Sequence, residues 1–147
     1  MHSETSIWID APVDRVFPLV SDLGRWESAL PHYRYVRILR QEGGVTRAAM
    51  SARRGAIPVF WEADQTADPA SRTIRFRHVR GVTRGMEVLW TLAEERQGTR
   101  ARIDHDLELK WPLVGAWVAE NVIARGFIEP IAAKTLLRFK AIAEGAA

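Results

Sequence analysis

The 147-residue chain predicts an α+β fold in which a curved, seven-stranded antiparallel sheet wraps a long C-terminal helix, with two short helices between the first and second strands. Three observations carry this. Stretches of alternating polar and apolar residues fill the middle of the chain, short turn-forming separators divide them, and a sustained helical periodicity occupies the end. One domain over residues 1–147 is expected, because 47% hydrophobic content suffices for a core and no second composition regime appears.

The first strand, TSIWIDAP, closes at Pro12. Val13, Val16, Phe17 and Val20 then fall at the spacing of one helical face, with Pro12 suited to the start and Asp14 complementing the exposed first-turn amides. Pro18 loses a backbone bond inside this helix and keeps it short or bent. A second helical turn, LGRWESALP, puts Leu23, Trp26 and Leu30 on one side before Pro31 ends it.

From His32 to Trp111 six extended segments follow: HYRYVRILRQE, VTRAAMSARR, IPVFWEADQTA, RTIRFRHVR, GMEVLWTLAEE and TRARIDHDLELKW. Their separators, Gly43-Gly44, Gly55, Asp68 to Ser71, Gly81 and Gln97-Gly98, are turn chemistry, so the strands form a meander. The remainder, from Pro112 to about Glu144, is one helical pattern, on the order of 50 Å long if unbroken. At 100° per residue, Val114, Trp117, Val118, Ile128, Ala132, Leu136, Phe139 and Ile142 share a face that must lie on the sheet. Pro130 would press on the carbonyl of Gly126, and a bend is expected there. A wrapping sheet cannot close on a nearly straight helix without leaving space, so this order of elements favours a cavity.

Two histidines occupy positions where the strand pattern calls for apolar side chains. His105 shares a face with Ile103, Leu107 and Leu109, and His78 with Ile74 and Phe76. Each is either a core histidine with a protein partner or an imidazole meeting a ligand.

The segments IDAPVDRVFPLVSDLGRWESALPHYRYVRIL at 9–39, VLWTLAEERQGTRARIDHDLEL at 88–109, and ENVIARGFIEPIAAKTLLRFK in the terminal helix resemble the START-like (Bet v 1-like, SRPBCC) superfamily, the helix-grip proteins. The likeness covers essentially the whole chain and includes polyketide cyclase/dehydrase-type and coenzyme Q-binding proteins. It implies a ligand-binding domain with a hydrophobic guest, such as a lipid, an isoprenoid or quinone, or an aromatic polyketide. It transfers no catalytic residue.

The inferred cavity lining comprises His78, Met86, Val88, Trp90 and His105 from strands, with Trp61 in a segment apolar on both faces. Trp26 and Tyr33 flank the short helix that forms a lid in the superfamily, although that helix also needs an anchor. On the long helix Trp117 lies in the apolar stripe, and Asn121 and Arg125, four apart, fall inside it too. A buried arginine must pair or reach water, so Arg125 either snorkels to solvent or, with Asn121, binds a polar group of the guest. Arg53 and Arg54 beside Gly55 either rim the entrance or are solvated. Ile123 and Phe127 point away from the stripe, either as an exposed apolar patch for a homodimer or covered by neighbouring chain.

Two functional readings follow. The first is a binding protein for a hydrophobic small molecule; the second is a polyketide cyclase or dehydratase with His105 or His78 as general acid/base and Arg125 stabilising an oxyanion. No cofactor or metal is expected, since two inward histidines lack a third ligand and the phosphate-loop and nucleophile-elbow motifs are absent. The pI of about 9.8 raises nucleic acid as a partner, but net charge is only +3 and basic residues alternate with acids, so ordinary solvated faces are expected. With no Cys, acids at Glu4 and Asp10, and no apolar run of membrane-spanning length, a cytoplasmic protein without membrane insertion is expected.

Overall fold

A computed structural model describes residues 1–107 and 119–146, with only the backbone given for 119–121, 123, 124 and 146. Strand β1 (His2–Ile9) leads into helix α1 (Val13–Ser21), a 3-10 turn (Leu23–Arg25) and helix α2 (Trp26–Ala29). Six strands follow: β2 (Tyr33–Glu42), β3 (Val45–Arg54), β4 (Ile57–Asp68), β5 (Thr73–Gly81), β6 (Glu87–Glu95) and β7 (Gly98–Asp106). The seven make one antiparallel sheet in the order β1-β7-β6-β5-β4-β3-β2, the helix-grip arrangement.

Buried Val13, Val16, Leu19 and Val20 hold α1 to the sheet. At its end the chain is pinned by polar bonds where the backbone has none to offer itself: Gln65 Nε2 donates to the Ser21 carbonyl at 2.9 Å, and the Asp22 carboxylate accepts from Gly24 N at 3.0 Å. Trp26 then enters the core with its indole N–H satisfied by the Val20 carbonyl at 2.8 Å.

Inward parity is kept along β5, β6 and β7, so Phe76, Val88 and His105 stand in register across three strands, and Ile74, Trp90 and Ile103 form the next row. The β4/β5 pair carries a bulge between Glu62 and Ala63. Beyond it Gly81, at φ 104°, passes so close to the Phe60 carbonyl that a Cβ would sit 2.5 Å from it. That close approach brings Trp61 beside the end of β5.

The C-terminal helix changes character along its length. Wide, π-type turns run over Ala119–Ile128, regular α-helix (α3) over Glu129–Ala141, and π-type turns again over Ile142–Ala146, where Gly145 adopts φ 88°. The switch to α geometry coincides with Pro130, in the first turn of α3. From there the anticipated stripe holds: Ile128, Ala132, Leu136 and Phe139 are buried, and Ile142 packs against the core from its edge. Upstream the phase does not hold, because a spacing of 100° per residue drifts across wide turns. Val114, Trp117 and Val118 lie outside the described residues. No helix among those described is long and apolar enough to cross a membrane.

Candidate functional site

Between the sheet and the C-terminal helix lies a cavity of about 90 Å³. Its floor is the inward row of β5 to β7, with Phe76, His78, Val88, Trp90, Ile103 and His105. Met50, Val59 and Trp61 from β3 and β4 make one wall, and Trp26 and Tyr33 another. Phe127, Ile128, Ile131, Ala132 and Thr135 of the helix close it above. Thr83 and Met86 enter from the β5/β6 turn, where Met86 N donates to the Thr83 carbonyl at 2.9 Å.

Trp26 organises the aromatic side. Its ring meets Tyr33 edge-on at 5.7 Å and 87°, and it packs at 5.6 to 6.1 Å against Phe76, Trp90 and Phe139. Trp61 lies flat on the His78 imidazole, 5.6 Å between centroids and 7° between planes.

The polar atoms are few, and among the described side chains one that is fully buried has no partner. His78 Nδ1 shares a hydrogen bond of 2.7 Å with Thr83 Oγ1. Thr135 Oγ1 donates to the Ile131 carbonyl at 2.8 Å, as helical threonines do, and lies 2.9 Å from His32 Nε2. The Thr135 hydroxyl also bonds the Tyr33 phenol, but burial wins and pushes that phenol above its usual range. His105 Nδ1 has no hydrogen-bond partner, although only 8% of the residue is exposed.

Burial removes charge from both inward histidines. It lowers His78 to about 3, with repulsion from His105 adding to the effect. It lowers His105 to about 4 against the opposing pull of Asp104 and Asp106 on the outer face. At neutral pH both rings are uncharged, and no Asp, Glu, Lys or Arg is among the described lining residues.

The structure brings eight residues singled out in the sequence, Trp26, Tyr33, Trp61, His78, Met86, Val88, Trp90 and His105, onto this one cavity. It does not bring Arg125 with them: that side chain is exposed, because the wide turns rotate it off the inward face. Phe127 moves the other way. Expected outside the stripe, it is half-buried and lines the cavity. Trp117 and the side chains of Asn121 and Ile123 lie outside the described residues. Arg53 is exposed, and Arg54 donates from Nε to the Gly126 carbonyl at 3.1 Å.

Sequence reading missed Met50, Val59, Thr83 and the helical contributors Ile131 and Thr135. Met50 had a usable signal, since Ala48, Met50 and Ala52 alternate at period two and are all buried. Thr83 had none, sitting in a turn and explained only by the needs of His78. On the outer face His2, Glu4 and Asp104 gather within metal-binding reach of one another. Arg102 already neutralises two of them, at 3.0 Å from Glu4 and 2.9 Å from Asp104, so the cluster reads as an ion-pair network.

Comparison with known proteins agrees with this architecture. The family described as polyketide cyclase/dehydrase and lipid transport matches residues 9–131. A putative polyketide cyclase of Streptomyces cyaneus is 30% identical over 112 residues, 74% of each chain. The crystal structure of the Zhui aromatase/cyclase from a Streptomyces species superposes with a TM-score of 0.83 at 19% identity, covering 98% of this chain and 93% of that one. A START superfamily protein from Mycobacterium smegmatis superposes with a TM-score of 0.73 at 16% identity, covering 96% and 98%.

Proposed function

Since the chain belongs to the polyketide cyclase/dehydrase and lipid transport family, we propose that it is a one-domain protein that holds a hydrophobic, ring-bearing small molecule in the cavity between the sheet and the C-terminal helix. The observation that carries this is the lining: three tryptophans, Trp26, Trp61 and Trp90, with Tyr33 and Phe76, around two uncharged imidazoles. Trp26, Tyr33, Trp61, His78, Met86, Val88, Trp90 and His105 are the proposed contacts. At about 90 Å³ the cavity is well below the ~300–1,000 Å³ of drug-sized sites, so a polycyclic guest enters by displacing side chains. Met50 and Met86, both unbranched, are suited to yield.

Native mass spectrometry of the purified protein, followed by extraction and a thermal-shift panel of lipids, quinones and polycyclic aromatics, tests the reading. A guest at 100 times its Kd should raise Tm by roughly 5–10 °C. A panel that leaves Tm unmoved, with no co-purified species, would reject it.

The second reading is catalysis of ring closure or dehydration, favoured by the pair of neutral imidazoles lining one cavity. In it His105 or His78 takes a proton from carbon and returns one to oxygen. Arg125 is not given the oxyanion role, because it is exposed. Turnover of a poly-β-ketone analogue that survives in both the His78→Gln and His105→Gln proteins would remove the histidines from this reading.

A further inference from the structure

We infer that the β3/β4 and β5/β6 turns, at the cavity end of the sheet, dock on an anionic phospholipid bilayer, from which a hydrophobic guest enters without crossing water. The docking surface goes beyond the ring-bearing guest, and only its purpose rests on that reading. Pairing of Trp61 with Gly81 puts the two turns side by side at one end of the sheet. Their tips are Ile57, 57% exposed, and Val82, 66% exposed. Val122, also exposed, joins them from the helix, whose Gly126 carbonyl is held by Arg54 of the first turn at 3.1 Å. The cavity lining begins within two residues of each tip, with Val59 after Ile57 and Thr83 after Val82.

Charge selects the surface that these tips meet. Arg53, Arg54, Arg80 and Arg84 lie in or beside the two turns, all exposed, and no acid occurs in 53–57 or 80–86. Of the four, only Arg80 has a carboxylate within ion-pair reach among the described residues, Glu62 at 3.7 Å. Exposed Arg125 adds a cation on the helix side. The turns at the opposite end of the sheet carry Glu42, Asp68 and Glu95 beside Arg72 and Arg96, so they hold no positive excess. A negatively charged surface therefore attracts the cavity end and not the other, which sets orientation as well as affinity. Single aliphatic tips on separate turns suit a bilayer better than a protein partner, which needs a continuous complementary patch. Each tip reaches below the headgroups while the neighbouring arginines, on long stems, keep their guanidinium groups at the phosphates.

Flotation of the full chain with lipid vesicles tests this. Binding to phosphatidylcholine containing about one third phosphatidylglycerol should exceed binding to phosphatidylcholine alone by about tenfold, and should fall in high salt. The double substitution Ile57→Asp/Val82→Asp should reduce binding by about tenfold, and Arg53→Glu/Arg84→Glu should remove the preference for the anionic lipid. Leu39→Asp, at a site 53% exposed but toward the other end of the sheet, should leave binding unchanged. If the substitutions impair folding, hydrogen exchange of the wild-type protein decides: anionic vesicles should slow it at 53–57 and 80–86 and not at 43–45 or 95–98. Equal binding to both kinds of vesicle, or anionic binding that survives the turn substitutions, overturns the inference. Capture of the chain by soluble poly-glutamate with none by vesicles also overturns it, and assigns the surface to an acidic protein. Stabilisation by a guest without vesicle binding removes the docking alone; vesicle binding without any guest keeps the docking and removes the guest.

Discussion

Arg54 Nε donates to the carbonyl oxygen of Gly126 at 3.1 Å, capping the position from which Pro130 withholds an N–H. An α-helix would close that carbonyl with the amide four residues on, and proline has none. A side chain from the end of β3 therefore completes a turn of the helix directly above the cavity. Arg54→Met should lower stability by about 0.5–1 kcal/mol, an exposed hydrogen bond's contribution, and speed hydrogen exchange at residues 126–131. In a Pro130→Ala background, where an amide is available again, the same substitution should have a smaller effect. Equal losses in both backgrounds would show that Arg54 does not act through this carbonyl.

Thr83→Val should cost about 1–3 kcal/mol, since it leaves His78 Nδ1 buried without a partner while barely changing volume. Urea denaturation measures this directly. A loss under 0.5 kcal/mol would mean that His78 finds another partner by rotating off Trp61.

Acid should weaken the fold before the carboxylates titrate. His78 and His105 drop from the ordinary 6.5 to about 3 and 4, so between these values the unfolded chain binds protons that the native chain refuses. Stability is then fully present above pH 6.5 and falls as pH drops, by on the order of 1–2 kcal/mol for each histidine at pH 5. His32, lowered to about 4, adds to the slope, and His2, raised by Asp106, works against it. A His78→Gln/His105→Gln protein keeps both of those, so its stability curve should be flatter between pH 7 and 5. An unchanged slope would sink the assignment.

Trp26→Phe removes the bond to the Val20 carbonyl and half of a ring that touches four aromatic neighbours. A loss of roughly 2–4 kcal/mol is expected from the void plus the stranded carbonyl. Affinity for any ring-bearing guest should change with it, because Trp26 is both anchor and wall.

What could be read from sequence followed how rigidly each element keeps its period. A strand repeats every two residues whatever its twist, so the parity of His78 and His105 placed both on the inward face without any knowledge of the bend. The helix from Ile128 onward was equally readable, since Ala132, Leu136 and Phe139 sit on ordinary turns. Before Pro130 the same arithmetic misplaced Arg125 and Phe127 in opposite senses. Wide turns alter the angle between successive residues, and no residue type announces them. Trp61 had no definite face in the sequence because Ile57, Val59, Phe60 and Trp61 put apolar side chains on both faces of β4.

The sheet order has a consequence for how the chain is made. β1 pairs along its whole length with β7, from His2↔Asp106 to Ile9↔Thr99, and the Met1 amino group reaches the Leu107 carbonyl at 2.8 Å. On a ribosome adding about 5–20 residues per second, β1 waits on the order of 5–20 s for β7. Until then Ile7 and Trp8 are an unclaimed edge, open to pairing with any other nascent strand. Hydrophilic residues at His2, Glu4 and Ser6 alternate along that strand and keep the waiting edge from being a sticky one. The seam that completes the sheet is thus the last strand pairing the chain can make, ahead of the C-terminal helix, and a translational pause after Asp106 would give it time to close.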